Sequence, residues 1–245
     1  MRKILITNDD GIEADGIVRL AKAALDFGEV YIVAPEEQRS AASHTLTINK
    51  YLDVWPHHFP VEGVKAYACS GHPSDCLRLA AGYIMPEKPD IVFSGINNGF
   101  NVGTDIQYSA TVGAALDAAM AGYPVIAFSE GFRGDDRESE SGHAVTDLYL
   151  HSVLEEMLSS DLTPGVVYNI NFPDCSPEEY KGILRDRRVG MDTPYIDKYK
   201  LKCELENGGK RYELIWTDRD HATEGSDLKA VLDGYISIGI VRNIS

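Results

Sequence analysis

Short apolar runs separated by amphipathic stretches set the rhythm of the first two thirds of the chain. Lys3–Thr7 has the character of a buried strand, and residues 30–34 repeat it before Pro35. Between them Ile17, Leu20, Ala21, Ala24 and Leu25 fall at helical spacing, and Gly28 closes that helix. Cys76, Leu79, Ala80, Tyr83 and Ile84 predict a second helix that ends before Pro86. Residues 91–93 predict a strand ending at Ser94-Gly95. Val112, Ala115, Leu116, Ala119 and Met120 predict a helix closed by Gly122. A strand over 125–128, a helix over 143–158 and a strand over 166–171 before Pro173 continue the alternation. Strands alternating with helices predict an α/β fold, with a mostly parallel sheet covered on both faces.

The polar, glycine-containing stretch 130–142 predicts an exposed loop. Between about 183 and 220 the period changes. Short alternating segments flank Asn207-Gly208-Gly209, a hairpin signal. Ser226 is placed to cap a last short helix ending at Gly234, and 235–238 reads as a final strand. The expectation is a single domain over 1–245. Its α/β core covers 1–180, a β-hairpin extension covers 183–222, and a helix and strand cover 223–245.

Composition narrows the functional classes. A chain of 245 residues buries roughly 70–75% of its unfolded surface and needs no disulfide staples. The four cysteines show no CxxC pairing, so a reducing cytoplasm is the expected compartment. The apolar stretch after Met1-Arg2-Lys3 is too short for a signal peptide, and no run is long enough to span a membrane. The net charge of −15 argues against a general nucleic-acid binder, which needs a basic stripe. It leaves room for a small anionic substrate, provided a local positive centre exists.

The candidate chemistry sits where strands end. The first strand stops at Asn8-Asp9-Asp10-Gly11. Two carboxylates about 4 Å apart repel by ~4 kcal/mol at an effective dielectric near 20. No Lys or Arg follows until Arg19, which points to a divalent cation. An Asx-turn made by Asn8, Asp9 and Gly11 is the plainer alternative. The second strand leads to Arg39-Ser40-Ala41-Ala42-Ser43-His44-Thr45, which suits either a cation or phosphate oxygens, or is a plain serine-rich connector. The strand over 91–93 leads into 95–103, with three asparagines and three glycines in nine residues. Asn oxygens suit magnesium or calcium, and glycines admit an anion to backbone N–H groups. Tyr108-Ser109-Ala110-Thr111 opens the next helix, where capping and phosphate binding can coexist. The seven histidines show no HxH or HExxH spacing, and GxSxG, P-loop and GxGxxG motifs are missing.

Assembled, these segments resemble the survival protein E (SurE) family of metal-dependent nucleotidases and acid phosphatases. The resemblance rests on Ile6-Thr7-Asn8-Asp9-Asp10-Gly11, on Val33-Ala34-Pro35 with Arg39-Ser40-Ala41-Ala42-Ser43, and on Pro73-Ser74-Asp75-Cys76. The longest match runs from Pro89-Asp90-Ile91 through Asn101-Val102-Gly103 to Tyr108-Ser109-Ala110-Thr111-Val112. Asn169-Ile170-Asn171-Phe172-Pro173 and Thr223-Glu224-Gly225-Ser226-Asp227 continue it. It implies a Rossmann-like core whose β-hairpin arm is exchanged between subunits of a homodimer or homotetramer. It implies that Asp9, Asp10, Ser40 and Asn97 coordinate one divalent ion, magnesium or manganese, and that Asp9, Asp10 and Asn8 form the catalytic group. Ser43, Asn101, Ser109 and Thr111 would line the phosphate pocket. The implied reaction is hydrolysis of a nucleoside 5′- or 3′-monophosphate. Exopolyphosphatase or broad acid phosphatase action within the same family, and a receiver-like metal-binding module without turnover, are the alternatives. Two departures stand out: Ala41 and Ala110 replace the family's usual glycines. A glycine held at positive φ there would leave Ala strained.

Overall fold

The computed structural model describes residues 1–131 and 143–242. The chain begins with β1 (Lys3–Thr7), α1 (Asp15–Ala24), β2 (Glu29–Pro35), β3 (Val54–Pro56), β4 (Lys65–Cys69) and α2 (Pro73–Leu79). It continues through β5 (Ile91–Asn98), α3 (Ala110–Met120), β6 (Val125–Glu130), α4 (Ala144–Ser159) and β7 (Val166–Phe172). β8 (Gly182–Arg187), β9 (Tyr195–Glu204), β10 (Lys210–Asp218), α5 (Asp227–Leu232) and β11 (Tyr235–Arg242) follow.

Nine strands form one sheet in the order β3-β4-β2-β1-β5-β6-β7-β11-β8. The six strands from β4 to β7 are mutually parallel, as the helical crossovers require. Their side chains alternate between two cores. Ile4, Ile6, Ile32, Phe93, Phe128 and Ile170 pack under α1 and α4 with Ile17, Leu20, Val153 and Leu154. Leu5, Val33, Val92, Val125 and Ala127 pack on the other face under α2 and α3 with Leu77, Val112 and Ala115. Both faces are covered, so the strands read as continuous apolar runs.

The differences from the sequence pattern have local causes. β3 and β4 carry weak signals: the three residues of β3 are exposed, and β4 is KAYAC. α2 starts earlier than its apolar spacing predicts because Pro73 occupies its first turn and the His72 N–H donates to Asp75 (2.9 Å). After Leu79 it widens into a π-helical turn, Ala80–Ile84, where the Met85 N–H reaches the Ala80 carbonyl. Residues grouped with the hairpin by pattern alone are divided. β8 joins the main sheet parallel to β11, whereas β9 and β10 form a separate antiparallel ribbon about the expected Asn207–Gly209 turn. Glu130 is not the start of an exposed loop but the buried last residue of β6. The rest of the predicted 130–142 loop, apart from Gly131, lies outside the described residues.

Candidate active site

From β1 the chain steps outward through β2 to β4, then returns to place β5 on the other side of β1. Strand order therefore reverses between β1 and β5, and a crevice opens at their carboxyl ends, where open α/β sheets bind ligands. Asp9 and Asp10 follow β1, residues 38–43 follow β2, and Asn97 and Asn98 end β5. A cavity of about 670 Å³ lies there, lined among others by Asp9, Asp10, Ser40, Asn97, Asn101 and Ser109.

Among the described residues the acidic pair is held by donors, none of them cationic. Asp9 is buried and takes a hydrogen bond from the Thr111 hydroxyl. Asp10 accepts from the Asn98 N–H (2.9 Å) and from the Gln38 amide (3.2 Å). Burial, then the neighbouring Asp10 charge, push the Asp9 carboxyl up to about 7. Burial also raises Asp10, helped by the more distant Glu130 charge. Arg19, the first basic residue after the pair in sequence, is spent elsewhere: its guanidinium binds Asp15, Glu130 and Asp147. His143 adds a second contact to Glu130 (3.0 Å). Burial alone would raise Glu130; these two partners outweigh it and keep the carboxyl ionised.

Three expected site residues do different work. Asn8 is buried, and its amide donates to the Gly11 carbonyl (2.8 Å); among the described residues its Oδ1 accepts nothing, so the turn is braced by the amide N–H and is not the Asx-turn of the plainer alternative. Thr111 is fully buried and does not line the cavity; its hydroxyl is committed to Asp9. Ser43 also falls outside the lining, and its N–H donates to the Tyr108 carbonyl (2.9 Å). Asn101, by contrast, is a lining residue fixed on three sides. Its N–H donates to Asn171 (2.8 Å), its carbonyl accepts from Asn169 (2.8 Å) and Asn171 (3.2 Å), and its amide donates to Ser129 (2.7 Å). Ser109 caps α3 by accepting the Val112 N–H (3.0 Å). Gly113 lets the 39–45 loop lie on α3, since a Cβ there would stand 2.7 Å from the Ser43 carbonyl oxygen.

The two alanine departures are not equivalent. Ala41 has φ of 58°, in the left-handed region, whereas Ala110 is the first residue of α3 and buried. Strain falls on Ala41 alone. Pattern reading missed Gln38 and Asn98 as partners of Asp10, although Gln38 directly precedes the 39–45 segment and Asn98 lies within 95–103. It also missed the far wall: Asp105, Tyr195, Asp197, Tyr199, Leu214 and Trp216. Period-two alternation marks one face of the ribbon, but nothing local says that this face turns toward the crevice.

Among the described residues no three His, Cys, Asp or Glu side chains gather into a metal-binding group. The candidate donors are instead two carboxylates, a hydroxyl and an amide. The family model described as Survival protein SurE matches residues 4–191. The chain belongs to the SurE family. A protein named 5′-nucleotidase SurE from Clostridium botulinum (strain Loch Maree / Type A3) is 38% identical over 238 residues, covering 96% of this chain and 90% of the relative. Its namesake from Thermoanaerobacter sp. (strain X514) is 37% identical over 243 residues, with the same coverage. The crystal structure of Sure protein from Aquifex aeolicus superposes with a TM-score of 0.79 at 30% identity, covering 99% of this chain and 94% of that one. In this SurE chain the family match contains every strand-end loop of the crevice and stops before β9.

Two outcomes follow from this geometry. A carboxyl raised from 3.8 to about 7 holds a proton in the folded state that the unfolded chain has lost. Metal-free protein therefore loses stability as pH rises through that window. Melting in chelator should show a lower midpoint at pH 8 than at pH 5, with a smaller drop in Asp9→Asn; equal slopes would contradict it. Ala41→Gly should stabilise the fold by about 1 kcal/mol. Ala110→Gly should destabilise it by about 0.5–1 kcal/mol. Denaturant unfolding of the two variants reads the opposite signs.

Proposed function

We propose that this chain is a divalent-metal-dependent phosphomonoesterase that releases phosphate from nucleoside 5′-monophosphates, and from the 3′-monophosphates as further substrates. The observation that carries the reading is the pair of buried Asp9 and half-buried Asp10 at the strand-order reversal, faced among the described residues by oxygen donors and not by a cation. The shared name of the relatives supports the nucleotide as substrate.

Asp9, Asp10, Ser40 and Asn97 would hold one magnesium or manganese ion per subunit. All four line the cavity and offer the hard oxygen ligands those ions prefer. Such an ion, when bound, neutralises phosphate charge and makes a bound water more acidic. The chain's own groups do the rest. Thr111 fixes one Asp9 oxygen, and Asn98 with Gln38 fixes Asp10, so the pair can orient the attacking water. Ser109 accepts the Val112 N–H and keeps its own proton for a phosphate oxygen. Asn101 gives one amide hydrogen to Ser129 and keeps the second. The start of α3 adds its dipole. Asn8 acts as a positioning residue through the Gly11 turn.

The ribbon is proposed as the arm that joins subunits into a homodimer or homotetramer, in the cytoplasm. Exposed Leu201 and Tyr212 near its tip, with Ile196 and Ile215 on its opposite face, support this. Among the described residues no helix is long and apolar enough to cross a membrane.

A phosphate-release screen over nucleoside monophosphates, short polyphosphate and simple esters tests the reaction. Turnover should require added magnesium or manganese and fall by at least about a thousandfold in Asp9→Asn, with the far-ultraviolet circular dichroism unchanged. Full turnover in excess chelator would sink the metal reading. Solution mass by light scattering should give two or four chains, and one chain per particle would refute the arm.

A further inference from the structure

The cavity is larger than a phosphate site needs, and its far wall is built differently from the acidic end. In the ribbon register Asp197 lies opposite Trp216, and Tyr199 opposite Leu214. Strand side chains alternate, so Tyr195, Asp197 and Tyr199 of β9 share one face with Leu214 and Trp216 of β10. All five line the cavity, and the intervening Ile196, Lys198 and Ile215 do not. The Tyr195 and Trp216 rings meet edge to face, with centroids 6.5 Å apart. The volume of about 670 Å³ is that of a site for a whole small organic ligand.

Charge says what can sit there. The carboxylates of this wall are Asp197 and Asp105, and Asp105 is tied to the Thr193 hydroxyl (2.7 Å). Among the described residues no lysine or arginine lines the cavity. A second phosphate or a polyphosphate tail would meet carboxylates, so the occupant is neutral. Aromatic rings favour a flat, polarisable group, and a carboxylate beside them favours one that carries N–H donors. A nucleobase has both properties.

We propose that the ribbon face formed by Tyr195, Tyr199 and Trp216 is the platform on which the substrate's base stacks, with Asp197 accepting hydrogen bonds from the donor edge of that base. Guanine, whose N1–H and N2 amino groups can both address one carboxylate, is then the preferred base. This rests on the phosphomonoesterase reading and deepens it: the chemistry lies within the family match over 4–191, and base recognition lies beyond it on 195–218.

The first test does not need turnover. Trp55→Phe leaves Trp216 as the sole tryptophan, and guanosine, which has no phosphate, should quench its emission saturably. Asp197→Asn in that background should weaken guanosine binding at least fivefold. The second test compares kcat/KM for guanosine monophosphate with that for glycerol phosphate. Trp216→Ala should lower the ratio at least about tenfold, through KM, and Trp216→Phe should restore most of it. An unchanged ratio, an equal fall for both esters, or no quenching by guanosine would overturn the platform. If neither ester is hydrolysed, the phosphomonoesterase reading fails, while the guanosine titration still decides the platform.

Discussion

Two carboxylates placed side by side at the end of a central buried strand are the constraint to which the rest of this molecule answers. Backbone chemistry alone cannot keep Asp9 and Asp10 both ionised: burial and mutual repulsion drive Asp9 toward its protonated form. Arg19, the first basic residue after the pair in sequence, is bound instead to the buried Glu130. The arrangement thus holds a negative centre open instead of neutralising it. Such a centre is costly unless a cation completes it, and this links the stability of the crevice to its chemistry.

The surrounding structure positions the pair without cancelling it. Thr111 comes from the start of α3, Asn98 from the end of β5 and Gln38 from the loop after β2, so three crossover units converge on two side chains. Their convergence depends on close backbone approaches. Gly95, at φ of 132°, passes so near β6 that a Cβ would lie 2.2 Å from the Phe128 carbonyl oxygen. Behind the 101–103 turn, Asn169 and Asn171 on β7 clamp Asn101. The buried Asp227 at the start of α5 accepts N–H bonds from Gly103 and Gly190. The C-terminal residues therefore brace a loop that belongs to the front of the sheet.

How much of this could be read from the chain follows from which forces are local. The strands β1, β2, β5, β6 and β7 are apolar runs because both faces of the sheet are covered, and that pattern is visible in any window of the sequence. The acidic pair, Asn97, Asn101 and Ser109 were legible because polar residues crowd abruptly at strand ends. The roles of Thr111 and Ser43 were not, since a hydroxyl at a helix start looks the same whether it faces a ligand or a buried carboxylate. β8 was hidden for another reason. Its pairing with β11 spans some fifty residues and obeys register, not composition. The ribbon's inward face was invisible likewise, because alternation specifies that two faces exist and not which one meets the crevice.

Ala41 shows how the site and the fold bear on each other. A methyl at φ of 58° costs conformational energy that a glycine would avoid, yet the residue lines the cavity beside Ser40. Ala110, the other departure, sits in helical geometry at the start of α3 and carries no such penalty. Only one of two similar-looking substitutions therefore alters the loop that delivers Ser40. Rigidity at that position narrows the conformations open to the loop after β2. That loop is already tied to its neighbours, through the Arg39 N–H on the Asp9 carbonyl (2.6 Å) and the Ser43 N–H on the Tyr108 carbonyl (2.9 Å). Constraining it fixes where Ser40 stands relative to the acidic pair, the spacing that decides whether both can serve one cation.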